Sequence, residues 1–264
     1  TELRSWLQQQ ELSDTQVDQR LEHVLSTLRD DKLYVAFVAE FSRGKSELIN
    51  AIFFASFGQR VLPSSAGRTT MCPTELMYAK GSAPCVRLLP IETRAGGTTV
   101  SELKGFQEEW TTIPLDISSP EGVAKALQHI AEVKAVTKQE AQSLGMPVAE
   151  EETQSGMPLT ADGRVEVPRW RHAIINFPHP LLEQGLVILD TPGLNALGTE
   201  PELTLSLLPS AHAVLFILAA DAGVTKTDLE VWNQHLAGTD QAQKAGRIVI
   251  LNKIDGLWDD LKTQ

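Results

Sequence analysis

Four stretches of this chain are apolar at nearly every position: "LYVAFVA" (33–39), "LVIL" (186–189), "AVLFILAA" (213–220) and "IVIL" (248–251). A strand with one covered face alternates apolar and polar residues, so a run without alternation needs cover on both faces. An α/β sheet with helices on each side meets that need. Helix-like segments do lie between the runs: "GKSELINAIFF" after the first, then 119–142, 202–209 and 227–236. "TELMYA", "VRLLPI" and "AIINFP" add shorter strands. The expected fold class is therefore α/β, with a central, mostly parallel sheet covered on both faces. Ahead of it, 13–29 reads as an amphipathic helix with Val17, Leu21, Val24, Leu25 and Leu28 on one face, and Ser13 and Gln16 at capping-box spacing. Gly145–Pro168 is polar and acidic and reads as a long, mobile excursion.

Three of the apolar runs end in groups that suit a nucleotide, and ligands of open α/β sheets bind at the carboxyl ends of strands. After the first comes "AEFSRGKS", Ala39–Ser46. A strand that enters a tight loop and leaves as a helix presents backbone N–H groups and a helix N-terminus to an anion. Arg43 and Gly44 lie in that loop, Lys45 would reach the outer phosphates, and Ser46 would ligate Mg²⁺. The usual pattern has glycine where Ala39 stands, which matters if that position needs a positive φ. After the second comes "DTPG": Asp190 can hold Mg²⁺ through water, and the Gly193 N–H can meet a γ-phosphate. After the last comes "NKID", Asn252–Asp255, where the Asp255 carboxylate can accept two hydrogen bonds from guanine that adenine does not offer. Thr69, Thr70 and Thr74 are candidates for a threonine that closes over the γ-phosphate and metal.

Composition removes other classes of function. Lys and Arg number 23 against 34 Asp and Glu, a net charge of −11, which argues against a nucleic-acid partner. The two cysteines, Cys72 and Cys85, have no metal-ligand spacing and read as free thiols. The six histidines are scattered and read as ordinary surface or core residues. The longest apolar run is far shorter than the roughly 20 residues of a membrane helix.

"EFSRGKSELINAI", "LPSSAGRTTMCPTEL", "HPLLEQGLVILDTPGL", "TKTDLEVW" and "LNKID" together resemble the dynamin superfamily, and bacterial dynamin-like GTPases in particular. The resemblance spans about residues 33–256. It implies a P-loop GTPase fold that binds GTP and GDP with Mg²⁺, hydrolyses GTP, self-associates through its G domains and remodels membranes. It assigns Thr70 to water positioning and Mg²⁺, Ser42 to the transition state or a monovalent cation, and Asn252, Lys253 and Asp255 to the base. It also implies a cytoplasmic protein, peripheral at the inner face of a bacterial membrane, reaching lipid through segments beyond this chain. The expected organisation is 1–30 as an N-terminal helical segment of a neck bundle and 31–264 as a G domain incomplete at its C-terminus. Phe41 stands where eukaryotic dynamins have a catalytic glutamine, and Leu194 stands where small Ras-like GTPases keep one. Arg43 can in principle supply transition-state charge, but exposed charges are usually only solvated, and a solvated loop side chain is the expectation. A regulatory switch of the Era-like type and a low-turnover GTP-binding scaffold are the alternatives.

Overall fold

Alternate residues of β1 (Leu33–Ala39) enter different cores. Val35, Phe37 and Ala39 join a cluster with Ile49 and Phe53, while Ala36 and Val38 join another with Phe216 and Val231. The two-residue period of a strand thus uses the unbroken apolar run on both faces, as the run requires. In this computed structural model the described residues are 32–40, 42–62, 72–146, 160, 162–191, 208, 211–236 and 246–257. Contacts divide the chain into Thr1–Leu33 and Tyr34–Gln264. The elements described here belong to the second unit, apart from the first residue of β1. The helix expected over 13–29 lies outside the described residues, as does 202–209 except for Leu208.

The main sheet has eight strands: β1, β2 (Thr74–Met77), β3 (Cys85–Pro90), β4 (Thr111–Pro114), β7 (Trp170–Asn176), β8 (Leu186–Asp190), β9 (Ala213–Ala219) and β10 (Gly246–Asn252). Their spatial order is β10-β9-β1-β8-β2-β7-β3-β4, and β5 (Val133–Val136) and β6 (Val165–Pro168) pair separately. The helices are α1 (Lys45–Phe53), α2 (Val100–Leu103), α3 (Pro120–Gln128), α4 (Lys138–Ser143), α5 (Pro180–Glu183) and α6 (Lys226–Val231). Residues of α1, α3 and α5 pack on one face of the sheet, and Val231 of α6 packs on the other. The α/β class is as expected, and both faces are covered around β1, but at the β10 edge Ile248, Val249 and Leu251 are 53%, 52% and 54% exposed among the described residues. Parallel pairing holds where β1, β9 and β10 lie together and between β2 and β7. β2–β8, β3–β7 and β3–β4 are antiparallel, so the sheet is parallel among β1, β9 and β10 and mixed from β8 to β4. The parallel arrangement brings the C-terminal ends of β1, β9 and β10 to one edge.

The insertion between β3 and β7 corrects two expectations. Residues 119–142 are not one helix. Ser119 caps α3 by accepting from the Gly122 N–H, with Pro120 in the first turn, and the helix ends in a single tight turn at His129–Ala131. Val133–Val136 then extends and pairs with Val165–Pro168 of the stretch expected to be loop. Thr137 and Glu140 form a capping box that restarts the chain as α4. Ile91, Val136, Ala141, Leu144, Met146, Val165 and Val167 give this module its own small core. Helical periodicity also misses the change in pitch at Trp232–Leu236, where α6 continues as a π-helical turn.

A carboxylate is buried in the far half of the sheet. Glu75 of β2 is 2% exposed and receives Lys104 Nζ at 2.7 and 2.9 Å and His172 Nε2 at 3.0 Å. Burial pushes the Glu75 carboxyl up, but the hydrogen bond from His172 and the charge of Lys104 outweigh it, and the carboxyl falls from 4.5 to about 2. A depressed carboxyl stabilises the fold above its unfolded pKa and loses that contribution as pH falls through the folded one. The expected stability difference between the natural chain and Glu75→Gln is therefore full above about pH 5. It shrinks by about 3 kcal/mol as pH falls toward 2. Denaturant unfolding of both proteins across that range measures it; a constant difference would contradict the pairing.

Candidate functional site

At the carboxyl end of β1 the chain turns through Glu40–Gly44 into α1. Ala39 is the last residue of β1, in register with Ile217 of β9, so it needs no positive φ and the missing glycine costs nothing at that position. Left-handed backbone occurs later, at Ser42 (φ 60°) and Gly44 (φ 85°). Gly44 sits at the N-cap of α1 with no side-chain cap, which leaves the first-turn N–H groups of Lys45 and Ser46 for a ligand. A Cβ on Gly44 would press on Asn252 Nδ2, the end of a side chain. Conformation therefore favours glycine here, and a side chain would in addition displace the Asn252 amide from the Arg43 carbonyl.

The three motifs are joined by hydrogen bonds. Lys45 Nζ donates to Asp190 Oδ1 and to the Thr191 carbonyl, tying the phosphate loop to the end of β8. Thr191 Oγ1 donates to the Phe37 carbonyl at 2.8 Å, which fixes that end against β1. Asn252, the last residue of β10, donates through Nδ2 to the Arg43 carbonyl at 2.9 Å. Lys253 follows at φ 57° and donates to Asp221 at 3.1 Å, and Asp255 lies exposed in the next turn. Lys45, Ser46 and Asp190 are 7%, 8% and 5% exposed. A buried ammonium, hydroxyl and carboxylate at one loop suit a polyanion and a hard cation better than an apolar ligand.

Arg43 departs from expectation. It is 4% exposed, not solvated: its Nη2 donates to Glu40 Oε2 at 2.7 Å and to Asp228 Oδ2 at 3.1 Å. Asp228 belongs to the capping box with which Thr225 opens α6. Glu40, Thr225 and Asp228 were not legible as site residues, although Thr-x-x-Asp before an apolar run is itself a helix-start signal. Asn50 was missed as well. Its Oδ1 accepts from the N–H groups of Val61 (3.1 Å) and Leu62 (2.9 Å), holding that segment to α1. Thr74, one of three candidate threonines, lies in β2 beside Asp190, with its hydroxyl donating to the Cys72 carbonyl at 3.3 Å. Thr69, Thr70, Gly193, Phe41 and Leu194 lie outside the described residues.

With the loop, the Lys45–Asp190 pair and the Asn252 tether in place, the family can be stated. A family model described as "Dynamin family" matches residues 35–254, and the chain belongs to that family. It is 22% identical over 203 residues to a bacterial dynamin-like protein of Nostoc punctiforme, covering 76% of this chain and 22% of the relative. It is 45% identical over 60 residues to the isoniazid-induced protein IniA of Mycobacterium tuberculosis, covering 22% of this chain and 9% of the relative. The chain thus spans a minor part of the length of both relatives. Among solved structures it is similar to an oligomerised bacterial dynamin pair described in the sensing and tethering of membranes (TM-score 0.48, 21% identity, 94% of this chain and 31% of that one). It is also similar to Aquifex aeolicus Era bound to GDP and aluminium fluoride (TM-score 0.34, 15% identity, 87% of this chain and 46% of that one). Among the described residues no helix is long and apolar enough to cross a membrane.

Gly44→Ala is expected to lower stability more than Gly58→Ala. Both positions have positive φ, at 85° and 66°, but a Cβ at 58 meets nothing within 4 Å. Conformational strain alone is worth about 1 kcal/mol. Calorimetry on the two variants isolates the contact with Asn252 as the excess loss at 44, and equal losses would contradict the close approach.

Proposed function

We propose that this chain binds GTP with Mg²⁺ and hydrolyses it to GDP and phosphate, as the nucleotide-binding part of a dynamin-like protein that remodels membranes. The carrying observation is the physical union of the three motifs: Lys45 bound to Asp190, and Asn252 bound to the loop between them. The first-turn N–H groups of α1 and Lys45 would hold the phosphates. Ser46 and Asp190 would hold Mg²⁺, an oxygen-ligand cation whose remaining positions go to phosphate and water. When bound, the ion neutralises phosphate charge. Lys45 then exchanges its carboxylate partner for phosphate oxygens, so its charge is present in the site beforehand and needs no recruitment. Asp255, exposed after β10, would accept from guanine and thereby exclude adenine.

Thr70 and Gly193 are proposed to meet the γ-phosphate, and Ser42, at the exposed turn of the loop, the transferring group. Family membership supports pairing of G domains across the nucleotide, with hydrolysis stimulated by that contact. It also supports a peripheral place at the inner face of a bacterial membrane, with lipid bound by segments beyond this chain. An acidic balance of −11 makes nucleic acid a poor partner.

The test is GTP turnover per molecule as a function of protein concentration with Mg²⁺, with ATP as the control. Specific activity is expected to rise with concentration and ATP to be ignored. Lys45→Ala is expected to lower turnover about a hundredfold or more, and Asp255→Asn to weaken GTP binding at least about tenfold. Flat, slow turnover with GTP bound would favour a monomeric switch or a scaffold. Absence of binding would overturn the reading of the loop.

A further inference from the structure

We infer that Arg43 is a positioning residue. Gripped by Glu40 and Asp228 at its guanidinium and by Asn252 at its carbonyl, it sets the shape of the phosphate loop and couples that loop to the start of α6. Glu40 is partly exposed, with a side chain at 19%, whereas the Arg43 and Asp228 side chains are 4% and 0% exposed. A guanidinium and a carboxylate removed this far from water persist only as a pair, because either alone is strongly destabilising. The pair joins residues 185 apart in sequence, one in the loop after β1 and one in the first turn of α6. The hydroxyl of Thr225 lies 2.8 Å from the same Asp228 oxygen and 3.0 Å from the same Glu40 oxygen that Arg43 uses. That hydroxyl has one proton and donates to one acid at a time, while the Thr225 N–H holds Asp228 as well, at 2.9 Å.

The loop needs such an anchor. Arg43 stands between two left-handed residues, Ser42 and Gly44. At Ser42, which has a side chain, that conformation costs about 1 kcal/mol or more and survives only where the surroundings over-determine it. Arg43 supplies tethers in two directions, side chain toward α6 and carbonyl toward β10. Two atoms of the anchor, Arg43 Nε and Asp228 Oδ1, are buried without a hydrogen-bond partner among the described residues. The guanidinium is therefore held by one edge only, through Nη2. An anchor of this kind is firm while α6 stays in place and is lost as a unit when α6 shifts.

The primary test needs no nucleotide: amide hydrogen exchange at Leu48, whose N–H donates to the Gly44 carbonyl of the loop at 3.0 Å, in the chain and in Arg43→Gln, Asp228→Asn and the double variant. The Asn amide oxygen can still accept from the Thr225 N–H, so Asp228→Asn separates the charge pair from the helix cap. Each single variant is expected to speed that exchange roughly tenfold or more, since breaking a buried pair exceeds the energy of a tenfold change. The double variant is expected to exchange no faster than the faster single one, because both remove the same tether. Exchange in β3 and β7 should not change, which also verifies folding. Lys226→Ala, which removes an exposed charge of the same helix and leaves the Arg43–Asp228 pair, should leave the Leu48 exchange within about twofold. Unchanged Leu48 exchange in a folded single variant, or additive effects in the double, overturns the anchor. If Arg43→Gln fails to fold, Asp228→Asn alone decides.

A second arm rests on the proposed nucleotide site: affinities for fluorescent GDP and for a non-hydrolysable GTP analogue. A positioning residue serves both nucleotides, so Arg43→Gln and Asp228→Asn should weaken both by similar factors. Loss confined to the GTP analogue in Arg43→Gln, with tighter binding in Asp228→Asn, would make Arg43 a direct phosphate ligand and overturn the positioning role. If the unmodified chain binds neither nucleotide, the proposed function fails while the exchange results still decide the anchor.

Discussion

A lysine ammonium and an aspartate carboxylate, both nearly out of water, meet where β1 and β8 end. Either charge alone in that position would cost several kcal/mol, and together they offset one another. Much of the architecture serves to bring them there. β1 must be buried on both faces to put its terminal loop beside β8. Thr191 must reach back to the Phe37 carbonyl to fix that end. Glycine at position 44 favours the left-handed turn from which α1 begins, where Lys45 can turn toward Asp190. In the proposed nucleotide site the pair would keep a cation for phosphate and a carboxylate for a metal, each shielded by the other.

The parts of this arrangement that were legible in the sequence are those with a strong local signal. Unbroken apolar runs suit a strand covered on both faces, and β1, β8, β9 and β10 all lie where those runs are, although Ile248, Val249 and Leu251 of β10 are exposed among the described residues. Gly-Lys-Ser, Asp190 and Asn252 are short-range patterns at strand ends, and the chain brings Lys45 to Asp190 and Asn252 to the loop. In contrast, 119–142 is rich enough in helix-forming residues to hide a break. The strand Val133–Val136 forms only because Val165–Pro168, about 30 residues later, offers an edge to pair with. Pairing partners of that kind leave no local mark.

Arg43 was misjudged for a related reason. Position in a polar loop beside a strand end predicts exposure, and most arginines obey. Its burial depends on contact with Asp228, 185 residues further along the chain. Asp228 in turn looks, in sequence, like no more than the third residue of a helix cap. A residue can fill a local role and a distant one with the same oxygen, and only the local one is written in its neighbours.

The touch between Asn252 and the loop at Gly44 has a consequence for anyone who would redesign this protein. The first residue of Asn-Lys-x-Asp is also a strut of the loop before α1. If Asp255 reads a base as proposed, changes there leave the strut alone, but a graft that carries its own residue into position 252 alters the fit of Gly44 and the support of Arg43 at the same time. The two ends of the site form one mechanical part, and they will be inherited, lost or engineered together.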